Sequence, residues 1–114
     1  MKDIERIEVG PHLSHAVIRN GVVYLSGVVS PGKSVAQQTK NVLRGIDKLL
    51  QRSQSDKSKI LSATVLLTDM RNFDEMNRVW DKWVSPGNAP ARACVEVKLS
   101  MLDFAVAIIV IAAQ

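Results

Sequence analysis

His15-Ala16-Val17-Ile18-Arg19-Asn20-Gly21-Val22-Val23-Tyr24-Leu25-Ser26 is the stretch that decides the fold class. Two apolar, β-rich runs flank an Asn-Gly pair, and that dipeptide supplies the positive φ values a type I′ turn requires. The spacing predicts a two-residue β-hairpin. Before it, Ile4, Ile7 and Val9 alternate imperfectly with charged residues, which predicts a short edge strand ended by Gly10-Pro11.

After the hairpin, Gly27 to Gly32 reads as a loop leading to a helix start at Ser34, with Gln37 completing a capping box. Val35, Thr39, Val42, Leu43, Ile46, Leu49 and Leu50 then recur at three- and four-residue steps, one apolar stripe on a helix of about five turns. Lys40, Arg44, Asp47, Lys48 and Gln51 form its other face, and Gly45 inside it implies close packing against the sheet. Ser53 to Ser58 is a polar connection. Ile60 to Leu67 is β-rich and nearly charge-free, the pattern of a central strand with both faces covered.

Asn72 and Glu75 are placed to cap a second helix, with Phe73, Met76, Val79, Trp80, Trp83 and Val84 on its inner face. Ser85 to Pro90 is a loop. It leads to Ala89-Pro90-Ala91-Arg92-Ala93-Cys94-Val95-Glu96-Val97, a strand on which Arg92, Cys94 and Glu96 share one face. Ala93, Val95 and Val97 share the other, and that second set reads as core. Ser100-Met101-Leu102-Asp103 connects to a last strand, Phe104 to Ala113, apolar on both faces.

The order β-β-α-β-α-β-β implies an α+β fold, a mixed sheet with two helices on one face. Two helices cannot cover both sides. The second face of the sheet is therefore expected to meet another subunit rather than water.

At 114 residues the chain fits one domain, 1–114, large enough to bury a core without staples. It has 46% hydrophobic and 23% charged residues, and no apolar run approaches the ~20 residues of a membrane span. The first residues carry both charge signs and no apolar signal region, so the expected location is cytoplasmic. The single cysteine cannot form an intramolecular disulfide, and no Cys/His spacing points to a metal. A net charge of +4 leaves nucleic-acid binding open. The basic residues are scattered, however, from Lys33 through Lys40, Arg44, Lys57 and Arg78 to Lys82, and aromatic residues are few. A nucleic-acid role is not favoured.

Gly10-Pro11 before the hairpin, Ser26-Gly27 after it, Ala63-Thr64-Val65-Leu66-Leu67 before Asp69, Phe73-x-x-Met76-Asn77-x-x-Trp80, and Pro90-Ala91-Arg92-Ala93-Cys94-Val95-Glu96-Val97 together resemble the RidA/YjgF family. The likeness spans essentially the whole chain and is nearest to divergent members. It implies a chorismate-mutase-like subunit in a homotrimer, with ligand clefts between subunits. The activity it implies is cofactor-free hydrolysis of enamines and imines to 2-keto acids and ammonia. Arg92 matches the arginine that binds the substrate carboxylate, a role suited to a planar bidentate donor, and Cys94 matches a cysteine lining the cleft. The glutamate that active members place on the final strand falls on Ala107. The tyrosine after Gly-Pro falls on Leu13, with His12 an extra residue beside it.

Losing a positioned acid or base typically costs ~10²–10⁴ in rate, so binding of a 2-keto or 2-imino acid is expected to outlast turnover. Competent deamination would need a substitute carboxylate or base, for which Glu96, His15 and His12 are candidates. A role as an endoribonuclease or translation inhibitor, also described for proteins of this type, has no catalytic pair here. Each candidate has a plainer reading. Arg92 could pair with Glu96, Cys94 could be a small buried residue, and His15 and His12 could be surface residues. Ser26 could donate to a ligand or merely form a turn. Asn77 is expected to bond a loop backbone, and Trp80 and Trp83 to fill the core or an interface.

Overall fold

The computed structural model describes residues 3–101 and 103–114. Met1 and Lys2 of the N-terminal stretch, and Leu102 of the connection before the last strand, lie outside the described residues. Strand β1 (Glu5–Val9) pairs antiparallel with β2 (Ser14–Arg19), which turns into β3 (Val22–Leu25). Between them Asn20 and Gly21 have φ of 51° and 77°, the type I′ turn that the dipeptide demands.

Helix α1 (Val35–Arg52) follows, then β4 (Ile60–Leu67), helix α2 (Phe73–Trp83), β5 (Ala91–Glu96) and β6 (Val106–Ala113). The sheet order is β1-β2-β3-β6-β4-β5, with β4 and β5 parallel and every other pair antiparallel. This is the α+β layer that the periodicities predict, with the N-terminal edge strand present. The last strand starts at Val106 rather than Phe104, because Phe104 and Ala105 still belong to the turn: Phe104 N–H donates to Met101 O, and Thr68 N–H to Ala105 O.

Both helices lie on one face. Val42, Leu43, Ile46 and Leu50 of α1 and Met76 and Trp80 of α2 close over Val23, Leu25, Ala63, Val65, Leu67, Val106, Ile108 and Val110. The other face is open in the single chain. Tyr24, Val95 and Ile109 are exposed there, and Thr64 and Leu66 of β4 are only half-buried. β4 is thus covered on one side by its own chain, not on both as its composition suggests.

The helix starts differ from the expected capping boxes. Ser34 Oγ accepts from Gln37 N at 3.0 Å, but the Gln37 amide turns along the helix to Asn41 instead of back to Ser34. Asn72 makes no side-chain cap at all. Glu75, expected to complete that second box, reaches across to α1, where its Oε2 accepts from Ala36 N at 2.8 Å. A carboxylate at that position also complements the positive end of the helix dipole.

Ahead of α1 the loop is pinned by the buried Gln38. Its amide donates to Gly32 O at 3.3 Å and Asp103 O at 3.0 Å and accepts from Ala105 N at 2.8 Å. Gly32 comes so near that a Cβ there would lie 2.8 Å from Gln38 N. Gly32→Ala is therefore expected to cost about 1–3 kcal/mol through forced backbone displacement. A urea unfolding curve checks this, and an unchanged midpoint would show that the loop yields freely.

Candidate functional site

β5 is an edge strand whose hydrogen-bonded neighbour in the sheet is β4. Register decides its faces: Ala63 stands opposite Arg92, Val65 opposite Cys94 and Leu67 opposite Glu96. Ala63, Val65 and Leu67 are buried beneath the helices, so Arg92, Cys94 and Glu96 project to the helix side. Ala93 and Val95 face the open side and are exposed, and Val97 lies past the strand's end. The expectation that this second set forms the chain's core is overturned. Alternation separates the two sets, but what covers each depends on where α2 lands.

α2 presents Phe73, Asn77 and Trp80 at i, i+4 and i+7, one stripe on the helix. Arg92 lies on that stripe. Its guanidinium carbon is 5.1 Å from the Trp80 ring centroid and 5.8 Å from that of Phe73, and Nη1 donates to Asn77 Oδ1 at 2.7 Å. Asn77 thus positions the arginine instead of bonding a loop backbone. Among the described residues no carboxylate ion-pairs with Arg92. The side chain stays exposed, and a guanidinium has five donors in a fixed fork. One donor meets Asn77, and the rest of the fork is available to a planar anion.

Glu96 is occupied elsewhere. Its Oε1 accepts from Met70 N at 2.7 Å, at the start of a 3₁₀ turn over Met70–Asn72. In the same turn Asp69 accepts from the Arg71 side chain and backbone, and these bonds hold its carboxyl down to about 2. The plainer reading of Arg92, a pair with Glu96, is not what the structure has: no ion pair joins them.

Cys94 is half-buried, and its thiol is pushed above the ordinary value near 9 by burial, with Arg92 opposing the shift more weakly. A protonated thiol is a poor nucleophile. Alkylation of Cys94 by iodoacetamide at neutral pH is expected to be slower than that of free cysteine. A faster rate would reveal an activated thiolate.

The remaining candidates lie far from this cluster. Ser26 N–H donates to His15 O at 3.0 Å and Gly10 N–H to Leu13 O at 2.8 Å, so Leu13, His15 and Ser26 gather near the joined ends of β1, β2 and β3. β3, β6 and β4 separate β2 from β5, four steps of ~4.8 Å, or roughly 19 Å. One chain does not bring Leu13, His15 or Ser26 to Arg92. Ala107 stands opposite Leu66, itself opposite Val95, hence on the open face, away from the arginine; it is 4% exposed.

The sequence matches the family model described as Endoribonuclease L-PSP over residues 4–114. A RutC family protein of Haemophilus ducreyi is 46% identical over 112 residues, covering 96% of each chain. The chain belongs to the RidA/YjgF family. A crystal structure of a YjgF family member from Neisseria meningitidis has a TM-score of 0.97 at 43% identity, covering 98% of this chain and 95% of that one. The chloroplastic Reactive Intermediate Deaminase A of Arabidopsis thaliana is 34% identical over 97 residues, 78% of this chain and 51% of that protein.

In this RidA/YjgF chain the Pro-Ala-Arg-x-Cys motif supplies the exposed guanidinium, and α2 supplies its seat. The roles of Asn77, Phe73 and Trp80 were missed from the sequence. Their i, i+4, i+7 spacing was the available signal, since one helical face carrying two aromatics and an amide suits a guanidinium.

Proposed function

We propose that the protein is a RidA-like homotrimer that binds a small carboxylate-bearing metabolite, of the 2-keto or 2-imino acid type, in clefts between subunits. Arg92 is the clamp, and enamine or imine deamination is weak or lost. The observation that carries this is the Arg92 guanidinium, seated on Trp80 and Phe73, oriented by Asn77 and, among the described residues, ion-paired with no carboxylate. Two further features support it. The apolar open face of the sheet suits self-association. The roughly 19 Å between β2 and β5 means that Leu13 and Ser26 could reach an Arg92 only in a neighbouring subunit. The relative named Reactive Intermediate Deaminase A suggests the class of ligand.

Turnover is argued down by Ala107, which has no proton to give or take, and by Glu96, whose oxygen is bonded to Met70 N. Imines generated in situ from an amino acid are expected to hydrolyse ~10²–10⁴ more slowly than with a family member that carries the final-strand carboxylate. A rate equal to such a member's would replace this proposal with a competent deaminase using a substitute base. Sedimentation at micromolar concentration tests the assembly: a monomer would remove the inter-subunit cleft.

A further inference from the structure

The fold draws together cations that look dispersed along the sequence. A groove of about 550 Å³ lies between α1 and α2. Lys40 and Arg44 line it from α1, Arg78 and Lys82 from α2, and Lys57 joins them over the Trp83 ring, 5.5 Å from its centroid. Two carboxylates also line it. Asp47 Oδ2 accepts from the Trp83 indole N–H at 2.9 Å, and Glu75 Oε2 accepts from Ala36 N. Neither ion-pairs with any of the five cations, and among the described residues none of the five has an ion-pair partner.

Five cations against two carboxylates leave an excess of three here, most of the chain's formal net charge of +4. Lys40 and Arg44, and likewise Arg78 and Lys82, are like-charge i, i+4 pairs, a spacing that destabilises a helix when nothing neutralises it. An anion between the helices would relieve both pairs at once. Beneath the charges the groove is apolar, lined by the half-buried side chains of Val79 and Trp83. Its volume falls within the ~300–1,000 Å³ of small-molecule sites, which favours a compact ligand over an extended strand.

We propose that this groove binds a small organic polyphosphate of the nucleoside di- or triphosphate kind. Its phosphates lie among Lys40, Arg44, Arg78 and Lys82, and its apolar or aromatic part rests on Val79 and Trp83. The site is separate from Arg92, which lies between α2 and β5, and it does not depend on the function proposed above.

Titration calorimetry of the full chain with ATP, without divalent metal and at low salt, tests it. One ATP per chain is expected, with affinity falling as salt rises. Arg44→Gln with Arg78→Gln is expected to weaken ATP binding by about tenfold or more. Arg71→Gln, which removes a cation already paired with Asp69 outside the groove, is expected to leave it unchanged. Thermal melts of each variant separate lost binding from lost folding. No heat at millimolar ATP, or equal affinity in the folded double variant, would overturn the proposal. Inorganic tripolyphosphate binding as tightly as ATP would overturn the role of the apolar floor. A single-stranded RNA that displaces ATP with affinity rising with its length would replace the small ligand with a nucleic acid.

Discussion

Trp80→Ala is expected to lower the unfolding free energy by about 3–5 kcal/mol, a large share of the ~5–15 kcal/mol that holds a domain together. Trp80 is 4% exposed, its ring lies 5.4 Å from that of Trp83, and its face carries the Arg92 guanidinium. Removing it opens a cavity under α2 and strips away half of the arginine's aromatic seat. Urea unfolding gives the number, and Trp80→Phe, which keeps an aromatic face, is expected to recover most of it. A double-mutant cycle with Arg92→Ala separates packing from stacking, since only stacking is lost twice. A loss below about 1 kcal/mol would mean that α2 does not pack on the sheet through this residue.

Arg92→Ala is expected to weaken binding of pyruvate or 2-oxobutanoate by about ten- to a hundredfold, the equivalent of losing a charged hydrogen-bonding partner worth roughly 1.5–3 kcal/mol. Arg92→Lys is expected to fall in between, because an ammonium keeps the charge but not the fork. Neither change should greatly alter the unfolding midpoint, since the side chain is exposed and, among the described residues, its one hydrogen bond is to Asn77. Asn77→Ala gives a graded control. It leaves the guanidinium present but unaimed, so a milder loss of affinity is expected. Unchanged affinity in Arg92→Ala would end the carboxylate-clamp proposal.

Local patterns were legible in the sequence because their causes are local. Asn20-Gly21 makes its turn through two residues' φ preferences, and the α1 stripe follows from helix period alone. Gly45 inside that helix signals close packing, and a Cβ there would come within 3.3 Å of Val28. What the sequence could not give was the destination of groups that act across elements. Glu75 has the spacing of a self-cap for α2, yet the neighbouring end of α1 offers an unsatisfied N–H within reach and takes it. β5 has two faces of similar local character, and only its parallel register with β4, set by the crossover through α2, decides that Arg92 and Cys94 turn toward the helices. Lys40 and Arg78 are distant in sequence, and nothing short of the helix pairing predicts that they share a groove.

The placement of β6 governs how the molecule can be made. It is the latest strand in the chain, yet it lies between β3 and β4 and is the seam joining the meander β1-β2-β3 to the parallel pair β4-β5. Until it arrives, each half presents an unpaired edge, and a helix layer that should bridge them has no continuous floor. While β6 is unplaced, the folding chain therefore carries two incomplete halves whose exposed edges invite pairing with other chains. Closing the seam, more than forming any single helix, is the step on which a cell's yield of this protein should depend.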